Sequence, residues 1–488
     1  MLKLYSSMQE KNKSSYNHIL KYTSIFGGVQ GLNILMGLVR NKIVAYLLGP
    51  VGMGLVAIFN STVDFIYKTS NLGISFSAIR NMSEVFDEGK EERIERFVKV
   101  VRGWCLLTGL IGVLLCVIAG PLLSNYSFAW GDHTLHFLML SPAIFLLAVT
   151  GGETAILKGS RRLKELAKIQ VFTAAAGLIL SVPIYFIFGE TGIVPVIVLT
   201  FLASMLFTVF YSYRFYPLRL RGAKGILGEG MSMVRLGVAY AVAGIIGSGA
   251  EMLVRSYLNV TGDLGEVGLY NAGFMLTMTY GGMVFSALES DYFPRLSAIG
   301  NDVVKRNEIV NRQSEVTLLV LAPMLATLIV ALPLLVPLLF RSDFLPIVGM
   351  VQIVLLSFYL RSIYLPMGYI TLARGDSWQY LLLESGYFAF MVVMVILNYN
   401  WWGLLGTGIA LALANVFDIV VTYIYAHIRY KYRFSHNVLR YLVLQLPLGI
   451  AVYILTFVDN PFVYWSIGAL LCLVSVAISV SILRKKTS

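Results

Sequence analysis

The 488-residue chain is 57% hydrophobic and only 13% charged, with a mean hydropathy of +0.76, far from the roughly 25% charged residues of ordinary soluble domains. The bilayer is therefore the solvent its side chains answer to. Its net charge of +12 falls in short stretches between apolar runs, where anionic head groups and the membrane potential favour it, so it implies no nucleic-acid partner.

A membrane span needs about 20 mostly apolar residues, and such stretches follow one another from about Lys21 to Leu483. Charge and turn residues bound helices at about 20–47, 53–79, 98–120, 136–157, 169–188, 192–212, 236–259, 266–290, 317–340, 346–373, 377–397, 403–428, 438–457 and 461–483. The expected fold is thus an all-α polytopic membrane protein of about fourteen transmembrane helices. Its clearest spans, Thr317 to Phe340 and Phe462 to Leu483, contain no charged residue.

Lys and Arg test that count, because they gather on the cytoplasmic side of a membrane protein. They fall at the N-terminal end (Lys3, Lys11, Lys13), within 80–102, 158–168, 214–235 and 295–312, at Arg374, within 429–440 and at 484–486. These are alternate loops and both ends of the chain, and they hold 31 of the 38 basic residues, against Arg341 alone on the other side. Both termini are therefore expected in the cytoplasm. The first seventeen residues are polar and the apolar run behind them is long enough to remain as a span, so no cleavable signal is expected.

The chain repeats itself. Pro121 recurs as Pro337, Lys158-Gly159 as Arg374-Gly375 and Thr191-Gly192-Ile193 as Thr407-Gly408-Ile409, each 216 residues on, and Leu38-Val39-Arg40 recurs as Leu253-Val254-Arg255 after 215. One repeat holds six expected helices, an even number, so the second enters the membrane in the same orientation as the first. Parallel repeats of this kind are typical of transporters. The expected organisation is an N-lobe over 1–230, a C-lobe over 231–434 and a final helix pair over 435–488.

Charges inside spans say what such a transporter handles. Arg40, Lys42, Lys68, Arg255 and Arg361 lie within expected helices, where a basic residue at mid-span costs about 2.5–3.5 kcal/mol unless it meets water or a counter-charge. Repetition places Arg40 and Arg255 at equivalent points of the two halves, suited to face each other across a central cavity. Bland alternatives exist for some of the five. Glu251 precedes Arg255 and Asp64 precedes Lys68 by one helical turn, spacing suited to ion pairs. Arg40 lies nineteen residues beyond Lys21, about 28 Å along an ideal helix and thus near the outer head groups. Arg361 has no acidic residue within four positions.

Guanidinium groups in a cavity suit an anionic cargo, since Arg contacts phosphate in bidentate fashion. A cation exporter is expected to show carboxylates there instead. Glu153, Glu384 and Asp418 are the remaining acids, open to roles in ion coupling, sugar-hydroxyl binding or helix capping. An enzyme is disfavoured because the longest connections are roughly twenty residues, and the run Asp87 to Arg96 has the charge spacing of a solvated helix face. No metal or cofactor is expected: the five histidines form no zinc motif, and Gly49 to Gly54 lacks the lysine of a nucleotide loop. Cys105, Cys116 and Cys472 all fall in spans and read as small apolar side chains.

The segment Gly37-Leu-Val-Arg40-Asn-Lys-Ile-Val-Ala-Tyr-Leu-Leu-Gly49-Pro-Val-Gly52-Met-Gly54, with Asn71-Leu-Gly-Ile-Ser and Arg80-Asn-Met-Ser-Glu84, resembles the opening of bacterial polysaccharide-repeat flippases. These are the O-antigen translocases of the multidrug/oligosaccharidyl-lipid/polysaccharide (MOP) exporter superfamily. Glu266-Val-Gly-Leu-Tyr270-Asn-Ala and Asp291-Tyr-Phe-Pro-Arg295-Leu-Ser resemble them in the second half. The resemblance implies a V-shaped pair of six-helix lobes that moves a polyprenyl-diphosphate-linked oligosaccharide to the outer leaflet. It further implies a monomer in a bacterial cytoplasmic (inner) membrane, among its lipids and served by the glycan polymerase or assembly machinery. In the related lipid II flippases an arginine of the first helix lines a cationic cavity, and Arg40 stands at the matching place. A final helix pair in those relatives forms a groove for the lipid tail.

Overall fold

The computed structural model describes residues 2–127, 133–218, 225–279, 281–282, 285, 292–297, 299 and 302–487. Among the described residues the chain is helical, with no strand. The helices are α1 Leu2–Asn71, α2 Ile74–Asp87, α3 Glu91–Ser127, α4 Thr134–Gly159, α5 Leu163–Phe188, α6 Ile193–Tyr213, α7 Ile226–Thr261, α8 Leu264–Phe274, α9 Tyr292–Ser297, α10 Val303–Leu339, α11 Ile347–Ala373, α12 Ser377–Tyr430, α13 His436–Leu455 and α14 Pro461–Thr487. Arg219, Arg221 and Lys224 of the expected basic loop lie outside the described residues, as do Asp291 and most of the expected span beyond Thr279.

Two of these helices are too long to cross a membrane once. An unbroken 54-residue α12 would measure about 81 Å, more than twice the ~30 Å hydrocarbon core. It breaks at Trp402 and Gly403, where φ/ψ reach −132°/16° and 55°/−139°. The 70-residue α1 breaks in the same manner at Gly49, with φ 64° and ψ −169°, and Pro50 follows. A positive φ of this kind favours glycine, which has no Cβ to clash. Between α5 and α6 a short 3-10 turn, Gly189–Gly192, does the same work. All three breaks fall where the sequence places a loop between spans.

Nine segments among the described residues are long and apolar enough to cross a membrane, against about fourteen expected. Three of the nine (Leu35–Asn71, Lys164–Tyr213 and Trp378–Tyr430) contain one of these breaks, and neither α7 nor α8 is among them. The chain is a multi-pass membrane protein. Its second half echoes the first in helix length: α3 and α10 are 37 residues each, with Pro121 and Pro337 near their ends, and α4 and α11 are 26 and 27.

The chain forms two compact units, one of residues 1–47, 70–118 and 138–237, the other of 48–69, 119–137 and 238–488. In the first, Ile74, Met82, Val101, Trp104 and Ile156 bring α2, α3 and α4 into one apolar core, and Leu157, Leu166 and Ile169 continue it toward Phe207 and Tyr211 of α6. Outside the apolar stretches Arg96 donates to both oxygens of Glu229, at 3.0 and 2.6 Å, tying α3 to the first turn of α7. That contact holds the Glu229 carboxyl below its ordinary range.

In the second unit Tyr292, Val310, Met367, Ile370 and Tyr430 join α9, α10, α11 and α12. Lipid tails are as apolar as leucine, so helices in a membrane associate through close packing and interhelical hydrogen bonds. Gln445 of α13 shows the second device: buried, it donates to Ser475 O and Ser479 Oγ and accepts from Ser475 Oγ, at 3.2, 3.0 and 2.7 Å. Tyr464 then ties α14 to the Val330 carbonyl of α10 at 2.8 Å.

Candidate functional site

Within the second unit, α7, α8, α11 and α12 enclose a cavity of about 320 Å³. Each wall is a stripe at helical spacing. Arg361, Tyr364, Leu365 and Gly368 come from α11; Tyr380, Glu384, Tyr387 and Met391 come from α12 before its break, and Asp418 and Thr422 after it. Glu251 of α7, Phe274 of α8 and Met278 of the π-helical turn Met275–Thr279 also line it.

Arg361 is the basic group of this cavity. Its Nη1 lies 3.1 Å from Met278 Sδ, and its guanidinium carbon stands 5.2 Å from the Phe358 ring centre and 5.6 Å from that of Phe285, within reach of cation–π attraction. Asp418 accepts from Thr422 Oγ1 at 3.0 Å and bonds the Tyr364 hydroxyl. Glu384 bonds the Tyr380 hydroxyl. The cavity is therefore mixed in charge, with three carboxylates beside one guanidinium.

Arg255 stands behind this cavity. Only 6% exposed, it donates from Nη1 to Glu251 Oε2 at 3.0 Å and from Nη2 toward Asn271 Oδ1 at 3.4 Å, and it lies over the Phe274 ring. Glu251 turns its carboxylate to the cavity with Arg255 as its counter-charge. Asp64 and Lys68 form the other one-turn pair, 2.8 Å apart and half-exposed.

The first unit holds Arg40, Lys42 and Glu153. Arg40 packs against α5: its Nη1 lies 3.5 Å from where a Cβ on Gly177 would stand, and it bonds the hydroxyl of the buried Tyr185. Lys42 is exposed and lines a shallow apolar groove with Tyr46, Pro183 and Phe186, on a different face of α1, since residues two apart are turned by roughly 200°. Glu153, 2% exposed, takes Arg102 Nε and Nη2 at 2.6 and 3.1 Å and Ser212 Oγ at 2.6 Å. Arg102 also reaches the Tyr216 carbonyl at 2.8 Å and covers the Tyr213 ring. Glu153 is thus an anchor between α3, α4 and α6.

Sequence reasoning found the charged members of the cavity and missed its tyrosines. Tyr364, Tyr380 and Tyr387 read as ordinary apolar positions; the signal available was their helical register with Arg361 and Glu384.

Paired helices broken at glycine, with charged groups gathered inside otherwise apolar segments, define a polytopic membrane protein of transporter build. The chain belongs to the family described as polysaccharide biosynthesis protein, whose model matches residues 43–349. Its fold is that of MOP-superfamily transporters. It is similar to the lipid II flippase MurJ in an inward closed conformation, with a TM-score of 0.73 and 16% identity over 95% of this chain and 99% of that one. It is also similar to an inward-facing multidrug resistance MATE family transporter (TM-score 0.70, 15% identity, 82% and 94% of the two chains). A third similar structure is a MOP-superfamily transporter from Pyrococcus furiosus with a binding pocket of reverse polarity (0.56, 15%, 84% and 94%). No curated protein matches the chain.

Proposed function

We propose that this protein is a flippase, with no catalytic role, that carries a polyprenyl-diphosphate-linked oligosaccharide from the cytoplasmic to the outer leaflet by alternating access. The glycan is an O-antigen or other surface-polysaccharide repeat unit, handed on to the polymerase. Membership of a polysaccharide biosynthesis family supports a glycan cargo, and the flippase fold supports transbilayer movement. The observation that carries the reading is Arg40: a guanidinium inside an apolar segment of α1, held by a tyrosine hydroxyl and, among the described residues, bridged to no carboxylate. Such a group is costly in a span and suits a diphosphate. Arg40 is the diphosphate contact, and Arg255 acts by holding Glu251.

The test is movement of a labelled polyprenyl-diphosphate oligosaccharide in proteoliposomes, read by its exposure to an external glycan-modifying enzyme. Wild-type protein is expected to speed exposure, and Arg40→Gln to slow it about tenfold or more, the worth of a charge-assisted hydrogen bond. An Arg40→Gln protein that flips at the wild-type rate removes Arg40 from the site. A multidrug cation antiporter is the second reading, favoured by the carboxylates of the cavity. It requires proton- or sodium-driven efflux of an organic cation that survives Arg40→Gln and fails in Asp418→Asn.

A further inference from the structure

The cavity of the second unit is poorly made for a diphosphate. Arg255, 3.0 Å from Glu251, is held by that carboxylate, and Arg361 shares the cavity with the acids Glu384 and Asp418, so acidic side chains outnumber its one basic group. An acidic ligand entering here sets its charge beside Glu384 and Asp418, and in a partly buried setting like charges a few ångströms apart repel or force a proton onto one of the groups, either of which weakens binding by roughly tenfold or more.

Its other features match a sugar. A pyranose presents apolar C–H faces and a rim of hydroxyl groups. Aromatic rings such as Tyr364 and Tyr387 offer flat apolar surface with a polar tip, carboxylates accept from hydroxyls, and a guanidinium donates to them. At about 320 Å³ the cavity is at the small end of ligand pockets, which run from about 300 to 1,000 Å³, so it takes a single sugar rather than a whole chain. The cavity has free space at Gly368, where a Cβ would meet nothing within 4 Å.

We propose that this cavity is a glycan subsite that selects a sugar bearing no acidic group, with Glu384, Asp418 and Arg361 bonding its hydroxyls and Tyr364 and Tyr387 receiving its ring. The subsite rests on the reading of the cargo as a lipid-linked glycan. It separates two tasks: sugar recognition belongs to the cavity of the second unit, and diphosphate binding to Arg40 of the first.

Two probes with the same polyprenyl diphosphate, one carrying N-acetylglucosamine and the other glucuronic acid, test it in proteoliposomes of the full chain. Wild-type protein is expected to move the neutral probe at least fivefold faster. Asp418→Asn and Glu384→Gln are each expected to bring the ratio toward one, while Arg40→Gln slows both probes and preserves the ratio. Gly368→Leu, which puts a side chain into that free space, is expected to slow the neutral probe. Equal wild-type rates, or a ratio unchanged in both acid variants, overturn the subsite and leave the flippase reading intact. If neither probe moves, the flippase reading fails, and saturation-transfer NMR on the nanodisc-embedded protein decides the subsite. Transfer to methyl N-acetylglucosaminide, weaker to methyl glucuronide and lost in Gly368→Leu, supports it; no transfer, or equal transfer to both, overturns it.

Discussion

Arg102 and Glu153 show what a charge in this protein costs and how it is met. Removing both from water is expensive, and they recover it through two mutual hydrogen bonds plus Ser212 and the Tyr216 carbonyl. Loss of one partner of a buried pair typically costs about 3–5 kcal/mol, because the other is left uncompensated. Glu153→Ala is therefore expected to unfold at distinctly lower temperature. Cys105 is the reporter once Cys116→Ala and Cys472→Ala remove the other two thiols: it is buried beside Gly152, where an added Cβ would fall 2.4 Å from its sulfur, so a thiol-reactive dye then reads opening of this region. Unchanged labelling against temperature would show that the pair contributes no stability. The sequence could not show this pair, since its members are 51 positions apart and Arg102 reads as one more residue of a basic loop. The pairs one turn apart, Asp64 with Lys68 and Glu251 with Arg255, were legible because helical geometry alone brings them together.

At the scale of elements, glycine decides where helices stop and how near they come. Gly54 and Gly268 meet where the segment after the α1 break crosses α8: a Cβ on Gly54 would fall 2.0 Å from the Leu264 carbonyl oxygen, and one on Gly268 would fall 1.8 Å from that of Pro50. Both obstacles are backbone, so no side chain can swing aside. Gly268→Leu is expected to separate the two segments and lose well over the 1–3 kcal/mol of ordinary overpacking, seen as loss of the monodisperse peak in detergent. Gly282→Ala, whose Cβ meets nothing within 4 Å, is the control expected to behave as wild type. An intact Gly268→Leu protein would refute the close crossing. The breaks at Gly49 and Gly403 were readable from Gly-Pro and Trp-Trp-Gly between apolar runs. The cavity stripe of α12 before its break was not, because Tyr380, Tyr387 and Met391 satisfy the same apolar periodicity as any membrane helix; in that stripe only Glu384 interrupts it.

For the whole molecule, composition was enough to give the class and the repeat enough to suggest transport, because both are set by the solvent and by gene-length symmetry rather than by any one contact. Chain order hides something the packing shows: residues 48–69 belong with the second unit, although they continue α1 without a loop. Orientation rests on charge. The basic residues gather at 80–102, 158–168, 214–235, 295–312 and 429–440, and the opposite side carries Arg341, which is bonded to Asp343 two residues on. A C-terminal fluorescent protein is therefore expected to fluoresce and a C-terminal alkaline phosphatase to be inactive, with the reverse for fusions after Gly189 and after Arg341. On the expected topology each break at Gly49, Gly189 or Gly403 separates two crossings, so an extra or missing crossing at any of them inverts every reporter beyond it. Phosphatase activity at the C-terminus, with inactive fusions after Gly189 and Arg341, would place the basic loops outside and overturn the charge argument. Activity at the C-terminus together with active fusions after Gly189 and Arg341 would instead locate an odd crossing beyond Arg341, in the stretch that holds the break of α12.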